Sequence, residues 1–130
     1  MRLWSFVLLV VLTGCGSPAN SIGHGYHLVD RTEDMHGVQG AFEAFAQYSD
    51  LYYFRQRLGT PGQYSISPSG RFAMFEESGK LKLFDRHTRK TREVTDGSFA
   101  VPSRFTWNES AGDVEVEYYE KHVPSRFQLR

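Results

Sequence analysis

From Gln63 onward, apolar and polar positions alternate in short bursts separated by turn residues: QYSISPSGRFAMFEESGKLKLFDRHTRKTREVTDGSFAVPSRFTWNESAGDVEVEYYEKHVPSRFQLR. A period of two puts every second side chain on one face of a strand. The bursts predict strands over 64–67, 71–76, 80–85 and 91–95, then 98–101, 104–109, 113–119 and 125–129, with Ser-Gly and Ala-Gly turns between the middle pairs. In the later set Phe105, Trp107, Val114, Val116, Tyr118, Phe127 and Leu129 share one face, which is the expected core face. Asp113, Glu115 and Glu117 alternate outward beside Arg126, Gln128 and Arg130. Opposite charges facing one another across strands contribute about 0.2–1 kcal/mol per pair, so this acidic row is expected to be a paired, solvated face.

The two sets of strands repeat. Setting Arg71-Phe72 against Arg104-Phe105 gives an offset of 33, and the same offset pairs Glu76 with Glu109, Gly79 with Gly112, Leu81 with Val114 and Leu83 with Val116. The segment YSISPSGRFAMFEESGKLKLFDRHT resembles the TolB-type and WD-type β-propeller motif, in which a Ser-Pro-Asp-Gly-like turn precedes an aromatic-rich strand, a glycine turn and a strand ending in aspartate. Here the turn is Ser67-Pro68-Ser69-Gly70, and the second copy has Val101-Pro102-Ser103 with no turn glycine. The resemblance implies blade-like meanders and carries no catalytic residues. Propellers close with typically 4–8 blades, so two units predict something other than a ring. The expected fold is mainly β: an antiparallel meander of about 8–9 short strands from two 33-residue units, curled into a half-barrel or small sandwich, with a short N-terminal helix.

That helix is expected in the preceding segment, YHLVDRTEDMHGVQGAFEAFAQYSDLYYFRQRL at 26–58. Ala41, Ala44, Phe45, Tyr48, Leu51 and Tyr52 follow helical spacing, whereas DLYYFRQRL alternates like a strand. The spacing predicts a helix over 38–48 and a strand over 50–57, together covering one face of the sheet.

The opening residues show a different pattern. Arg2 precedes an apolar run from Leu3 to Leu12 broken only by Ser5. A membrane span needs roughly 20 apolar residues, so the run fits a secretory signal better than a permanent helix. Leu12-Thr13-Gly14-Cys15 follows, and this resembles a bacterial lipobox. The resemblance implies cleavage between Gly14 and Cys15, diacylglycerol on the Cys15 thiol and acylation, such as palmitate, of the new amino terminus. Two or more acyl chains anchor a protein stably where one does not. Cys15 is the sole cysteine, so an exported chain has no intrachain disulfide to form. The expected organisation is a signal peptide at 1–14, a lipidated tether at 15–25, and one β-rich domain at 26–130. That domain divides into a capping segment at 26–62 and repeat units at 63–97 and 98–130.

Composition narrows the function. Lys+Arg and Asp+Glu number 15 each, so no net field draws the molecule to nucleic acid. His24, His27 and Asp30 are of metal-ligand type, as are Glu33, Asp34 and His36, but neither spacing defines a metal site. The basic row Arg86, His87, Arg89, Lys90 and Arg92 is expected to be a solvated hairpin loop, and it is the candidate for contact with lipid phosphates or an acidic partner. The sequence contains neither a P-loop nor a GxSxG elbow. The expectation is a non-catalytic, cofactor-free, lipid-anchored envelope protein that binds another protein, on the outer membrane facing the periplasm. Two alternatives stay open: an inhibitor or immunity lipoprotein using a protruding 86–92 loop, and a metal-dependent hydrolase using His24, His27 and Asp30.

Overall fold

The computed structural model describes residues 19–34, 45–94, 101–121 and 123–130. It is mainly β, with eleven strands and no helix among these residues. The strands form three antiparallel meanders. The first sheet contains β1 (Ala19–Gly23), β2 (Tyr26–Asp34), β3 (Phe45–Tyr53) and β4 (Gln56–Gly59), neighbours in chain order. The second holds β5 (Tyr64–Ile66), β6 (Phe72–Glu77), β7 (Lys80–Asp85) and β8 (Lys90–Glu93), and the third β9 (Pro102–Asn108), β10 (Asp113–Tyr118) and β11 (Ser125–Gln128).

The second sheet is buried on both faces. Ala73, Phe75 and Phe84 pack with Tyr26, Leu51 and Tyr53 of the first sheet. Their neighbours on the same strands, Phe72, Met74, Leu81 and Leu83, pack with Val114, Val116, Tyr118 and Leu129 at the third. Alternation sends adjacent residues of β6 into opposite cores, which is why its sequence FAMF is continuously apolar. The molecule is thus three layers deep. The expected half-barrel or sandwich from one meander gives way to three stacked sheets.

The 33-residue repeat is visible in the strands, since β7 at 80–85 and β10 at 113–118 stand at that offset. The expected inner face also holds: Val114, Val116, Tyr118 and Leu129 are buried, and Phe105, Trp107 and Phe127 lie half-buried against them. Glu115 pairs with Arg126 at 3.3 Å, as expected, while Glu117 reaches Arg104 on β9 at 3.6 Å.

Three expectations are corrected. Residues 19–23 of the expected tether are strand β1, because pairing such as Ser21 with His27 uses backbone groups and needs no apolar side chain. Ile22 adds a contact to the first core. The helix expected over 38–48 is strand over 45–48, where Tyr48 pairs with Arg31, and its earlier part lies outside the described residues. Thirdly, 50–57 is a hairpin: Tyr53 pairs with Gln56 across a turn at Phe54-Arg55. Pro102–Asn108 begins two residues before the expected strand, whereas 98–100 lie outside the described residues.

Candidate functional site

The Ser67-Pro68-Ser69-Gly70 turn joins all three sheets. Ser67 holds it internally, accepting a hydrogen bond from Phe72 N–H at its hydroxyl and one from Gly70 N–H at its carbonyl. From the first sheet, the buried Tyr26 hydroxyl donates to the Gly70 carbonyl at 3.0 Å, and the His24 ring lies where a Cβ at Gly70 would stand. From the third sheet, Glu109 accepts both the Ser69 N–H at 3.0 Å and the Ser69 hydroxyl. Arg71 then grips Asp85 through two hydrogen bonds of 3.2 Å.

These contacts set the titration of the groups. Burial pushes the Tyr26 hydroxyl far above its ordinary value, reinforced by Tyr53. Burial also raises the Glu109 carboxyl, but hydrogen bonds from Ser69 outweigh it and the group titrates below the usual range. Asp85 is lowered likewise, with Arg71 and the His87 N–H overcoming desolvation.

A cleft of about 710 Å³ opens beside this turn, where the β1–β2 and β3–β4 turns meet the turn between β7 and β8. Tyr26, His27 and Phe54 supply rings, Arg55 and Arg89 supply charge, and Ser21 and Gly25 complete the lining. Among the described residues no carboxylate lines it. Phe54 has φ 50° and is 56% exposed, and Arg89 has φ 58°. A bulky side chain in the left-handed region is strained, and such strain clusters at binding sites. Both residues are held in place. Phe54 N–H donates to the Gly25 carbonyl at 2.8 Å, and its ring occupies the space of a Gly25 Cβ. Arg89 stacks on Tyr53 with 5.3 Å between guanidinium carbon and ring centre, and its carbonyl accepts from Gln56 at 3.0 Å.

At the opposite end of the second sheet, Thr60 bridges the first two layers. Its N–H donates to Glu77 at 2.6 Å and its hydroxyl to Asp50 at 2.7 Å. Asp50 is nearly buried and also receives Arg31 at 3.0 Å, with Arg57 at 3.6 Å. Desolvation raises its carboxyl, but the bonds from Thr60 and Arg31 and the two positive charges bring it below the ordinary aspartate value. Glu77 follows the same logic: burial opposes ionisation, while Lys82 at 2.7 Å and the Thr60 N–H favour it more strongly.

The basic row divides. It is not one loop, because Arg86 to Arg89 form a tight turn closed by Arg89 N–H on the Asp85 carbonyl, and Lys90 begins β8. Arg89 alone of the row enters the aromatic cleft. Lys90 and Arg92 instead line a second depression with Leu129, and Arg92 donates to the Gln128 carbonyl. His87 N–H donates to Asp85. The three metal-type residues do not converge: His24 lies on Gly70, His27 stacks on Tyr52, and Asp30 accepts from Ser49. Among the described residues no group of three His, Cys, Asp or Glu could hold a metal ion. Gly14, Cys15 and His36 lie outside the described residues.

Phe54, Arg55 and Asp50 were not singled out from the sequence, and Glu109 entered it only as the repeat partner of Glu76. The one available signal for the first pair was that strand β3 needs a turn before β4, and Phe54-Arg55 contains no turn-forming residue. The described residues define a mainly β protein of three stacked meanders with an aromatic, basic recess at one end. Comparison with known proteins returns no matching family model, curated protein or solved structure.

Proposed function

We propose that this chain is a lipid-anchored protein of the bacterial cell envelope, attached through Cys15, which binds another protein at the cleft between Phe54 and Arg89 without catalysing a reaction. The lipobox-like Leu12-Thr13-Gly14-Cys15 after an apolar run supports the anchor, and the outer membrane facing the periplasm is the favoured site. The observation that carries binding is Phe54: an aromatic ring 56% exposed and fixed in a strained backbone conformation, it stands outside both cores and meets the first only edge-on, at Tyr53. Tyr26, which lines the cleft, is tied through its hydroxyl to the Ser67-Pro68-Ser69-Gly70 turn. A photoreactive phenylalanine analogue at position 54 tests this in living cells. It should give one dominant crosslinked protein, absent when the analogue replaces the exposed Thr106 on the third sheet. Equal labelling from both positions would refute the site. Cys15→Ser should abolish incorporation of labelled fatty acid and release the protein from membranes; retention with unchanged labelling would refute the anchor.

A further inference from the structure

We infer that the cleft takes an extended peptide segment in which an acidic side chain stands next to an aromatic or aliphatic one. The inference rests on the reading of this end as a protein-binding face, and specifies what it recognises. Charge complementarity identifies the acid. Arg55 and Arg89 both line the cleft, no carboxylate does, and neither guanidinium has an ion-pair partner among the described residues. Asp50 and Asp85 lie elsewhere and are already held, by Arg31 with Thr60 and by Arg71 respectively. A planar guanidinium beside an aromatic surface suits a carboxylate on an apolar stem. The Phe54 ring over Gly25 supplies that surface.

The extended conformation follows from the sheet. Among the described residues β1 is an edge strand, it contributes Ser21 to the cleft, and its sequence ANSIG has no charge or proline to block pairing. A segment added along β1 would pair with the backbone groups on that edge and direct alternate side chains at the recess. The binding groups are also preorganised: the Phe54 and Arg89 backbones are fixed through Gly25 and Gln56, so little ordering remains for the ligand to impose.

The probe is a five-residue peptide, acetylated and amidated, with a central glutamate between phenylalanine and valine. Its glutamine and lysine analogues serve as comparisons, and binding is followed by calorimetry on the folded chain. The glutamate peptide should bind about tenfold more tightly than the glutamine analogue, the size of one charge-assisted hydrogen bond, and the lysine analogue more weakly still. Arg55→Gln and Arg89→Asn should each erase most of that preference, asparagine being chosen because it tolerates the left-handed backbone at this position. Unchanged circular dichroism would show that both variants fold. Equal binding of the three peptides, or none, would overturn the inference while leaving the crosslinking result at position 54 intact. So would binding of acetyl-phenylalanine with a free carboxylate but not of the capped peptide, because recognition would then lie at a chain terminus.

Discussion

Single atoms join the layers of this molecule. The Thr60 hydroxyl is the link between Asp50 and the chain leaving the first sheet, and Thr60→Val removes it while keeping size and the N–H to Glu77. Loss of that bond to a buried charge, together with the one the hydroxyl accepts from Arg57 at 2.8 Å, should reduce stability by about 1.5–3 kcal/mol, measured by urea unfolding. An unchanged midpoint would show that water replaces the hydroxyl. Gly70 permits a separate test. Its φ of 79° and the His24 ring, which stands where a Cβ would be, both oppose a side chain. Gly70→Ala should cost about 1–3 kcal/mol, and adding His24→Ala should return the steric part but not the backbone part. Full recovery in the double variant would mean that the left-handed backbone carries no penalty here.

The strands of the second sheet show what could and could not be read from the chain. Lys80–Asp85 matches its expected bounds, because KLKLFD is flanked by a Ser-Gly turn and a basic turn that leave no choice of register. FAMF was legible as a strand, but its unbroken apolar character also signals burial on both faces, and hence a third layer that two repeat units do not supply. A segment covering one face of the sheet was expected over 26–62, but as a helix and a strand; its form as a four-stranded sheet was hidden because ANSIG looks like a tether and DLYYFRQRL turns at Phe54-Arg55 without glycine, asparagine or proline. Local chemistry does not announce such a turn; Gly25 and Arg89 hold it from a distance, through the Phe54 N–H and the Gln56 side chain. Of the cleft, only Arg89 and His27 had been singled out from sequence, since the others matter through where the fold puts them. Met74 and Phe75 are both fully buried, in opposite cores. Met74→Ala should therefore cost about 2–5 kcal/mol and Phe75→Ala about 3–5 kcal/mol, with nearly additive effects if the cores are independent. Phe105→Ala and Trp107→Ala should cost less, because those rings are half-buried, although Trp107 also loses its 2.8 Å bond to Ser65. Chemical denaturation of the four single variants and the Met74–Phe75 double variant checks the order.

Across the whole molecule the joints share one dependence on pH. Asp50 and Glu77 meet at Thr60, Asp85 holds Arg71, and Glu109 fastens the third sheet to the second. All four carboxyls titrate below their ordinary values of 3.8 for aspartate and 4.5 for glutamate. A group whose folded value is depressed stabilises fully above its unfolded value and loses that contribution as pH falls through the folded one. Stability should thus be flat above about pH 5 and decline steadily below about pH 4.5, seen as a falling thermal midpoint. A midpoint that rises on acidification would contradict the joints. Asp85→Asn should flatten part of the decline, because Arg71 and the His87 N–H then have no titrating partner.

The double-sided middle sheet also sets an order of events during synthesis. Tyr26, Leu51 and Tyr53 emerge early, yet the rings they lie against, Phe75 and Phe84, are made later. Until then the first meander has only water against its apolar side, and that exposed apolar face is a surface through which incomplete chains associate. A nascent chain crossing a membrane in this state would need shielding from aggregation for the time taken to deliver some thirty further residues, a demand that disappears once the central strands arrive.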